Sequence, residues 1–425
     1  MFAGWIQWLS SQHPKDVALL ILPLMLLDGV RYIGATLALW VWDFARDLCG
    51  YPSDAAKEYE YCPSVCVVLA GLNEADSIGQ TLLSVWGTYP RLEIIVVDDG
   101  SSDGMAQVAE EFAATHENVL VLRKPHRGGK SSALNFALPF TQADVIICVD
   151  TDSHLAPCAI WEIVQPLADE RVAGVSGTII PRNGFTNLCT RLQALEYLRN
   201  IFVGRRTAAW LGILGIVSGA FGAFRRSSLA RLGGWDVGPG EDGDLVLRLR
   251  KQGFRIAFTP YAQCYTNTPT NFSWLFRQRR RWEWAVVTFE CRKHVDLGDP
   301  LSATFSLTNL VLLLDRWLFS IVLMYSCLIF APYLAWQRWS ELHYILLTQY
   351  VAYLAIETAQ ACVVLYYSLD RWRDLKYCLV LPLMPFYALF IKAASAVAIT
   401  EELITRRSFQ DNFVPSHVRD ATWHW

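Results

Sequence analysis

Charge is scarce in this sequence: Asp, Glu, Lys and Arg make up 18% of 425 residues, against 53% hydrophobic ones. The chain is too apolar for a purely water-soluble protein and too long for one ordinary domain, so a membrane protein with one soluble domain is expected. An excess of either sign is missing too. A formal net charge of -3 gives no overall attraction to nucleic acid, and any anion site has to be local. The eleven cysteines include no CxxC pair, and Cys62 and Cys66 lack a second pair to complete a zinc site. They are expected to be mostly reduced, buried and structural. A cleavable signal peptide is not expected: the first apolar run is long, follows Pro14-Lys15-Asp16 and has no small-residue cleavage site behind it.

What is present begins with Asn271 to Trp284, which packs four arginines and three tryptophans between a soluble-looking half and an apolar half. Such a run suits an anionic ligand or lipid headgroups, and by itself the lipid anchor is the simpler reading. Val17 to Trp42 is about 39 Å long as a helix, enough to cross a bilayer with tilt. Within it, Asp28 and Arg31 share a face and can neutralise each other. Leu301 to Leu314, ending at Asp315-Arg316, is too short to cross and reads as interfacial. Trp317–Trp336, His343–Tyr367 and Tyr377–Thr400 are long enough for spans. The basic residues from Arg277 to Lys293 place the soluble domain in the cytoplasm, with Arg371, Arg373 and Lys376 on the same side. Three late spans would send Arg406-Arg407 outside, against that tendency. Pro382, Pro385 and Lys392 make the last segment the weakest span, open to a kinked or re-entrant course.

From Pro63 to about Pro260, short β-branched runs alternate with amphipathic stretches. Val65–Ala70, Ile94–Val97, Val119–Leu122, Val145–Val149 and Val172–Ser176 read as buried strands of a largely parallel sheet. Ser77–Trp86, Gly104–Ala114, Ser131–Leu138 and Pro157–Leu167 read as its covering helices. Ligands of such α/β nucleotide-binding sheets sit beyond the carboxyl ends of the strands. Those ends are acidic here: Asn73-Glu74, Asp98 to Asp103, and Asp150-Thr151-Asp152. Any one of them is explained by a helix cap or a turn; three at one sheet edge suit a cation that holds a diphosphate. Asp150 and Asp152 can meet one hard divalent cation if the backbone turns between them. The segment Lys124 to Lys130 has two glycines that leave amides open and a lysine charge, without P-loop spacing. Val217 to Gly222 would let a flat substrate approach backbone, or is a tightly packed strand. Gly240-Glu241-Asp242-Gly243-Asp244 precedes an amphipathic helix, where carboxylates favour the helix dipole and one of them can serve as a general base.

Taken together, Asp98-Asp99-Gly100-Ser101-Ser102-Asp103, the Asp150-x-Asp152 pair, Val217-Ser218-Gly219, Glu241-Asp242 and Gln278-Arg279-Arg280-Arg281-Trp282 resemble the motifs of membrane-embedded, processive family 2 glycosyltransferases. These are the cellulose, chitin, hyaluronan and poly-N-acetylglucosamine synthases and the nodulation chito-oligosaccharide synthases. The resemblance covers roughly Pro63 to Trp284. It implies an α/β GT-A glycosyltransferase domain, with a mostly parallel Rossmann-like sheet, joined to α-helical transmembrane and interfacial segments. By the same resemblance, Asp99 with Glu74 and Lys130 would bind the nucleoside part of a UDP-sugar donor. Asp150, Ser218 and Gly219 would border the nucleotide-sugar. Asp150 and Asp152 would hold Mg2+ or Mn2+. Asp242 would be the base, with Gln278, Arg281 and Trp282 closing the donor site and supporting a growing polysaccharide acceptor.

The implied organisation is an N-terminal transmembrane segment (1–48), a cytoplasmic catalytic domain (49–270), interfacial helices (271–316), three transmembrane helices (317–400) and a tail (401–425). The implied function is an integral enzyme of a bacterial inner or plasma membrane, in contact with membrane lipids. It polymerises glucose or N-acetylglucosamine units through β linkages and secretes the product, with room for an accessory secretion subunit and no role for nucleic acid. The number of leading and trailing spans favours N-acetylglucosamine. Two other readings are a non-processive transferase to a lipid acceptor and a non-catalytic membrane subunit. The Gln-x-x-Arg-Trp signature speaks against the first and the intact set of carboxylates against the second. Three departures from the family pattern stand out. Gly240 stands where a threonine is common, Leu72 where an aromatic is common, and Glu283-Trp284-Ala285 follows the signature in place of the usual small and polar residues. The first of these leaves Glu241 and Asp244 open as alternative bases.

Overall fold

The structure, a computed structural model, describes residues 2–21, 33–49, 59–238, 240–411 and 414–422. Asp28 and Arg31, and the middle of the expected first span, lie outside the described residues. Three helices come first: α1 (Phe2–Ser11), α2 (Pro14–Ile21) and α3 (Ile33–Leu48). The five expected strands follow as β1 (Val65–Gly71), β2 (Leu92–Asp98), β3 (Val119–Arg123), β4 (Val145–Asp150) and β6 (Val172–Pro181). Three further strands, β5 (His154–Leu155), β7 (Phe221–Arg225) and β8 (Arg255–Thr266), complete an eight-stranded sheet ordered β3-β2-β1-β4-β7-β6-β8-β5. Their sequences hide them. β5 has two residues, β7 begins in a small-residue stretch, and β8 carries Pro260 and pairs with β6 through irregular register.

Strands β1 to β4 pair in parallel, whereas β7 runs antiparallel between β4 and β6. Both faces of the sheet are covered, which is why its strands read as continuous apolar runs rather than alternating ones. Val65, Val67 and Leu69 pack under α4 (Ala75–Val85), α5 (Met105–Ala113) and α7 (Ala159–Val164). Cys66 and Val68 face α6 (Lys130–Ala137) and, later in the chain, α11 (Glu241–Lys251). The consequence for the site comes from β7. Phe221 pairs with Val149, and the Ala220 carbonyl accepts from the Asp150 amide at 3.3 Å. The Val217–Gly219 turn is thereby brought to the carboxyl end of β4.

Between β6 and β7 the chain runs from α8 (Leu188–Tyr197) through a wide helical turn over Leu198–Gly204 into α9 (Arg205–Trp210). Asn187 caps this stretch reciprocally with Thr190. Helix α10 (Arg226–Leu232) follows β7, and α12 (Phe272–Ala285) carries the arginine-tryptophan run. Then come α13 (Leu307–Trp317), α14 (Leu323–Gln337), α15 (Leu342–Tyr367), α16 (Arg371–Tyr377), α17 (Met384–Thr405) and, at the tail, α18 (Ser416–Thr422).

The expected break between an interfacial Leu301–Leu314 and a span from Trp317 is absent, because Leu307–Gln337 forms one helix of 31 residues. Asp315 and Arg316 do not end it: Arg316 pairs with Glu290 at 3.1 Å and is accommodated within the helix. Among the described residues two helices are long and apolar enough to cross a membrane, Leu307–Gln337 and Arg371–Thr405. Helix α15 has 26 residues but includes His343, Gln349, Glu357 and Gln360, and is less apolar. The cysteines are free, as expected, but Cys49, Cys158 and Cys362 are exposed rather than buried.

Candidate active site

The site forms where β1, β2 and β4 end. Asn73 turns the chain with φ 59°, a left-handed conformation that asparagine tolerates, and leads to Glu74 at the start of α4. Asp99 follows β2 and is buried. Its carboxylate accepts from Lys124 Nζ at 2.5 Å, the Gly128 amide at 2.8 Å and the Gly129 amide at 2.7 Å. Gly129 has φ 83°, which aims consecutive amides inward. The glycine pair anticipated as an open phosphate cradle is therefore folded onto Asp99. Lys124, which sequence reasoning did not single out, supplies the matching charge.

Lys130 begins α6 and reaches the end of β4, where its Nζ pairs with Asp150, donates to the Gly219 carbonyl at 3.0 Å and lies 3.9 Å from Glu241. Burial works against its charge, but Asp150 and Glu241 outweigh that and raise its pKa. Asp152 is pushed up by burial and by the neighbouring Asp150 charge, and Glu74 by burial and by Asp152, Asp103 and Asp150. Carboxylates that resist ionising together are suited to a cation. Among the described residues no three His, Cys, Asp or Glu side chains gather into a closed metal site. Two carboxylates completed by a diphosphate and water are the usual complement for Mg2+ or Mn2+, so Asp150 and Asp152 fit such an ion.

Opposite them, the N-terminus of α11 sorts its three carboxylates. Asp242 accepts from the Gly219 amide at 3.0 Å and the Gly243 amide at 2.8 Å. A Cβ on Gly219 would lie 3.2 Å from Lys130 Nζ and 3.3 Å from the Asp242 carboxylate, so a glycine keeps these groups together. Glu241 is buried, and burial, opposed by Lys130 and reinforced by Asp242, pushes it up to about 7. Asp244 is wholly buried and consumed by Arg248, Lys293 and His294 at 2.7 to 2.8 Å. Those partners overcome burial and hold it well below the usual carboxylate range. Ser218, on the same turn as Gly219, donates its amide to Ser176 at 3.3 Å.

Helix α12 approaches the start of α11 at its own end, where Ala285 adjoins Gly240. The Gln278 side-chain oxygen is buried with no partner among the described residues. Trp282 is exposed, with the Arg279 guanidinium 4.4 Å above its ring. Arg281 is half-buried. The lipid-anchor expectation for the rest of the cluster needs correcting. Arg279 is buried in a two-pronged pair with Glu196, at 2.8 Å for each prong, and Tyr387 donates to the same carboxylate. Arg280 lies over Trp284 at 4.8 Å and 3.9 Å from Glu401. Arg277, over the exposed Trp274 at 5.2 Å, keeps an outward position.

Two of the departures from the family pattern meet here. Gly240 has φ 82°, and a Cβ there would lie 2.6 Å from the Ala285 Cβ. Sequence reasoning also passed over the tail: Val414 lines a cleft with Gly128, Lys130 and Glu241, and the Pro415 ring would lie 3.6 Å from a Cβ on Gly129.

One edge of the mixed sheet thus gathers Asp150, the half-buried Lys130 and the amide-held Asp242. Residues 63–285 match the profile of Glycosyltransferase like family 2, and the chain belongs to that family. It is similar to the poly-beta-1,6-N-acetyl-D-glucosamine synthase of Staphylococcus epidermidis, 29% identical over 229 residues, 53% of this chain and 55% of the relative. The enzyme of that name from Staphylococcus aureus strain MSSA476 is also 29% identical, over 51% of this chain and 53% of the relative. The chain thus spans about half the length of the curated relatives it matches. Among solved structures, a mannosyltransferase from Pyrobaculum calidifontis in complex with GDP-Man and Mn2+ superposes with a TM-score of 0.59 at 22% identity. That match covers 91% of this chain and 99% of the mannosyltransferase. The fold is GT-A, and residues 63–285 form a family 2 glycosyltransferase domain.

Proposed function

We propose that this glycosyltransferase is an inverting membrane enzyme that polymerises a UDP-sugar, of the N-acetylglucosamine class, into a β-linked polysaccharide. The observation that carries the reading is the Asp242 carboxylate, held by two backbone amides beside the Lys130–Asp150 pair. Asp242 takes the proton of the acceptor hydroxyl as that oxygen bonds to the anomeric carbon. The bond from that carbon to the diphosphate breaks, and the nucleoside diphosphate leaves with the electron pair. Lys130 and Arg281 supply positive charge to the leaving group. A divalent cation held by Asp150 and Asp152 would offset the diphosphate charge as it departs. Asp99 shapes the Lys124–Lys130 loop that borders the nucleoside, with Glu74 at its other side. Ser218 and Gly219 present backbone to the donor sugar. Gln278 offers its unpartnered amide oxygen to a sugar hydroxyl, and Trp282 offers an apolar face to the acceptor.

The names of the Staphylococcus relatives support the N-acetylglucosamine donor, and the apolar helices support an integral membrane location. In this reading α3 and α15 also cross the membrane. The catalytic domain is cytoplasmic, in a bacterial inner or plasma membrane, and the product leaves through the spans, with or without a separate secretion subunit. The test supplies purified protein in lipid nanodiscs with UDP-N-acetylglucosamine, UDP-glucose and GDP-mannose, each with Mg2+ or Mn2+, and sizes the products with linkage-specific hydrolases. Long β-linked N-acetylglucosamine chains are expected. Single-sugar products would refute polymerisation. Asp242→Asn should retain the fold and lose at least about 100-fold in turnover; turnover equal to the unaltered enzyme would remove Asp242 as the base.

A further inference from the structure

Three arginines leave the Leu198–Gly204 turn and the start of α9 in different directions. Arg199 pairs with Glu357 of α15, and Arg206 with Asp43 of α3 at 2.8 Å. Arg205 turns toward the sheet, and among the described residues it has no carboxylate within ion-pair distance. Its Nη1 donates instead to the Ser176 hydroxyl at 3.0 Å. Ser176 is fully buried on β6, and its oxygen also accepts from the Ser218 amide at 3.3 Å while its proton goes to the Gly177 carbonyl. The next amide along, that of Gly219, is the one that holds Asp242.

Arg205 is half-buried, and desolvation pulls its guanidinium down to about 10, with the Asp242 carboxylate working in the opposite direction. Arg205 is also the first residue after a wide helical turn, a local irregularity that re-aims side chains and recurs at functional sites.

We propose that Arg205 is a positioning residue for the transfer, setting the Ser218–Gly219 turn through Ser176 and so fixing where the Asp242 carboxylate sits as the acceptor hydroxyl approaches. The inference rests on Asp242 as the base. The link runs from the guanidinium to the Ser176 hydroxyl, from that oxygen to the Ser218 amide, and along the turn to the Gly219 amide that holds the carboxylate.

The experiment measures kcat and donor KM for the full-length protein in nanodiscs, with UDP-N-acetylglucosamine and Mn2+ or whichever donor of the panel gives product. Arg205→Gln is expected to lower kcat by about 100-fold with donor KM unchanged. Arg205→Lys, which keeps a cationic donor for Ser176, restores part of kcat. Ser176→Ala lowers kcat with KM unchanged. An Arg205→Gln enzyme whose kcat stays within about threefold overturns the proposal, and so does a KM that rises in step with the loss. Should Arg205→Gln fail to fold, unaltered kcat in both Arg205→Lys and Ser176→Ala overturns it instead. Asp242→Asn separates the two readings. Full activity there removes the base itself, whereas its loss beside a normal Arg205→Gln enzyme removes only the role of Arg205.

Discussion

Three carboxylates within one turn of α11 receive three different environments, and their chemistry follows from the partners each finds. Asp244 is spent on Arg248, Lys293 and His294, so it belongs to the scaffold, and Asp242 is held by the Gly219 and Gly243 amides. Glu241 lies between, buried and pushed up to about 7 from the usual 4.5. Between those two values the folded protein binds a proton that the unfolded chain has released, so the folded state loses stability as pH rises through that window. Glu241→Gln removes that titration and should flatten the pH dependence of the melting temperature between about 4.5 and 7. Thermal melts in detergent at half-unit pH steps check this, and an unchanged slope in the variant would contradict it. Which of the three carboxylates is which was not legible in the sequence. All three suit a helix N-terminus equally, and their partners come from α6, from the turn before β7 and from the stretch after α12.

The arginine-tryptophan helix α12 divides along its own faces. Arg279 points into the protein, where the buried Glu196 carboxylate takes both its prongs and the Tyr387 hydroxyl. Arg279→Ala leaves Glu196 buried without its cation, a loss of about 3–5 kcal/mol. It is therefore expected to lower the melting temperature and the yield of folded protein. Arg281→Ala should keep the melting temperature and abolish turnover. A melting curve and a turnover assay on each variant test the division; normal stability for Arg279→Ala together with lost turnover would reverse the assignment. The helical period places Arg279 and Arg281 on different faces, but the sequence does not say which face turns into the protein. Glu196, 83 residues earlier, decides that.

At the scale of the whole molecule, ion pairs with buried carboxylates tie the α8–α9 stretch to α3, α15 and α17. Arg199 meets Glu357 of α15, Arg206 meets Asp43 of α3, and Glu196 joins Arg279 to Tyr387 of α17. Such pairs fix relative position more than they add stability, because desolvation offsets most of their attraction. Glu357→Ala should therefore destabilise the protein, leaving Arg199 uncompensated, while Arg199→Met with Glu357→Leu should recover most of the melting temperature. A double variant no more stable than the single one would contradict that account.

The parallel half of the sheet and the order of the acidic strand ends were readable from the sequence, since apolar β-branched runs and turn residues are local signals. The outlying strands were not: β5 is too short and β8 too mixed, and both exist because β6 and its neighbours offer open edges. The break expected near Leu314 failed for the same kind of reason, an Arg316 that looks like a helix end until Glu290 arrives to pair with it. The sequence by itself determined the kind of chemistry, through carboxylates, lysine and arginine set at strand and helix ends. Only the tertiary structure decided how that charge is shared. Partners drawn from distant segments pair Asp99, Asp244 and Arg279 with cations or carboxylates, while Asp242 is held by backbone amides and the Gln278 oxygen has no partner among the described residues, because burial and pairing are properties of neighbours in space.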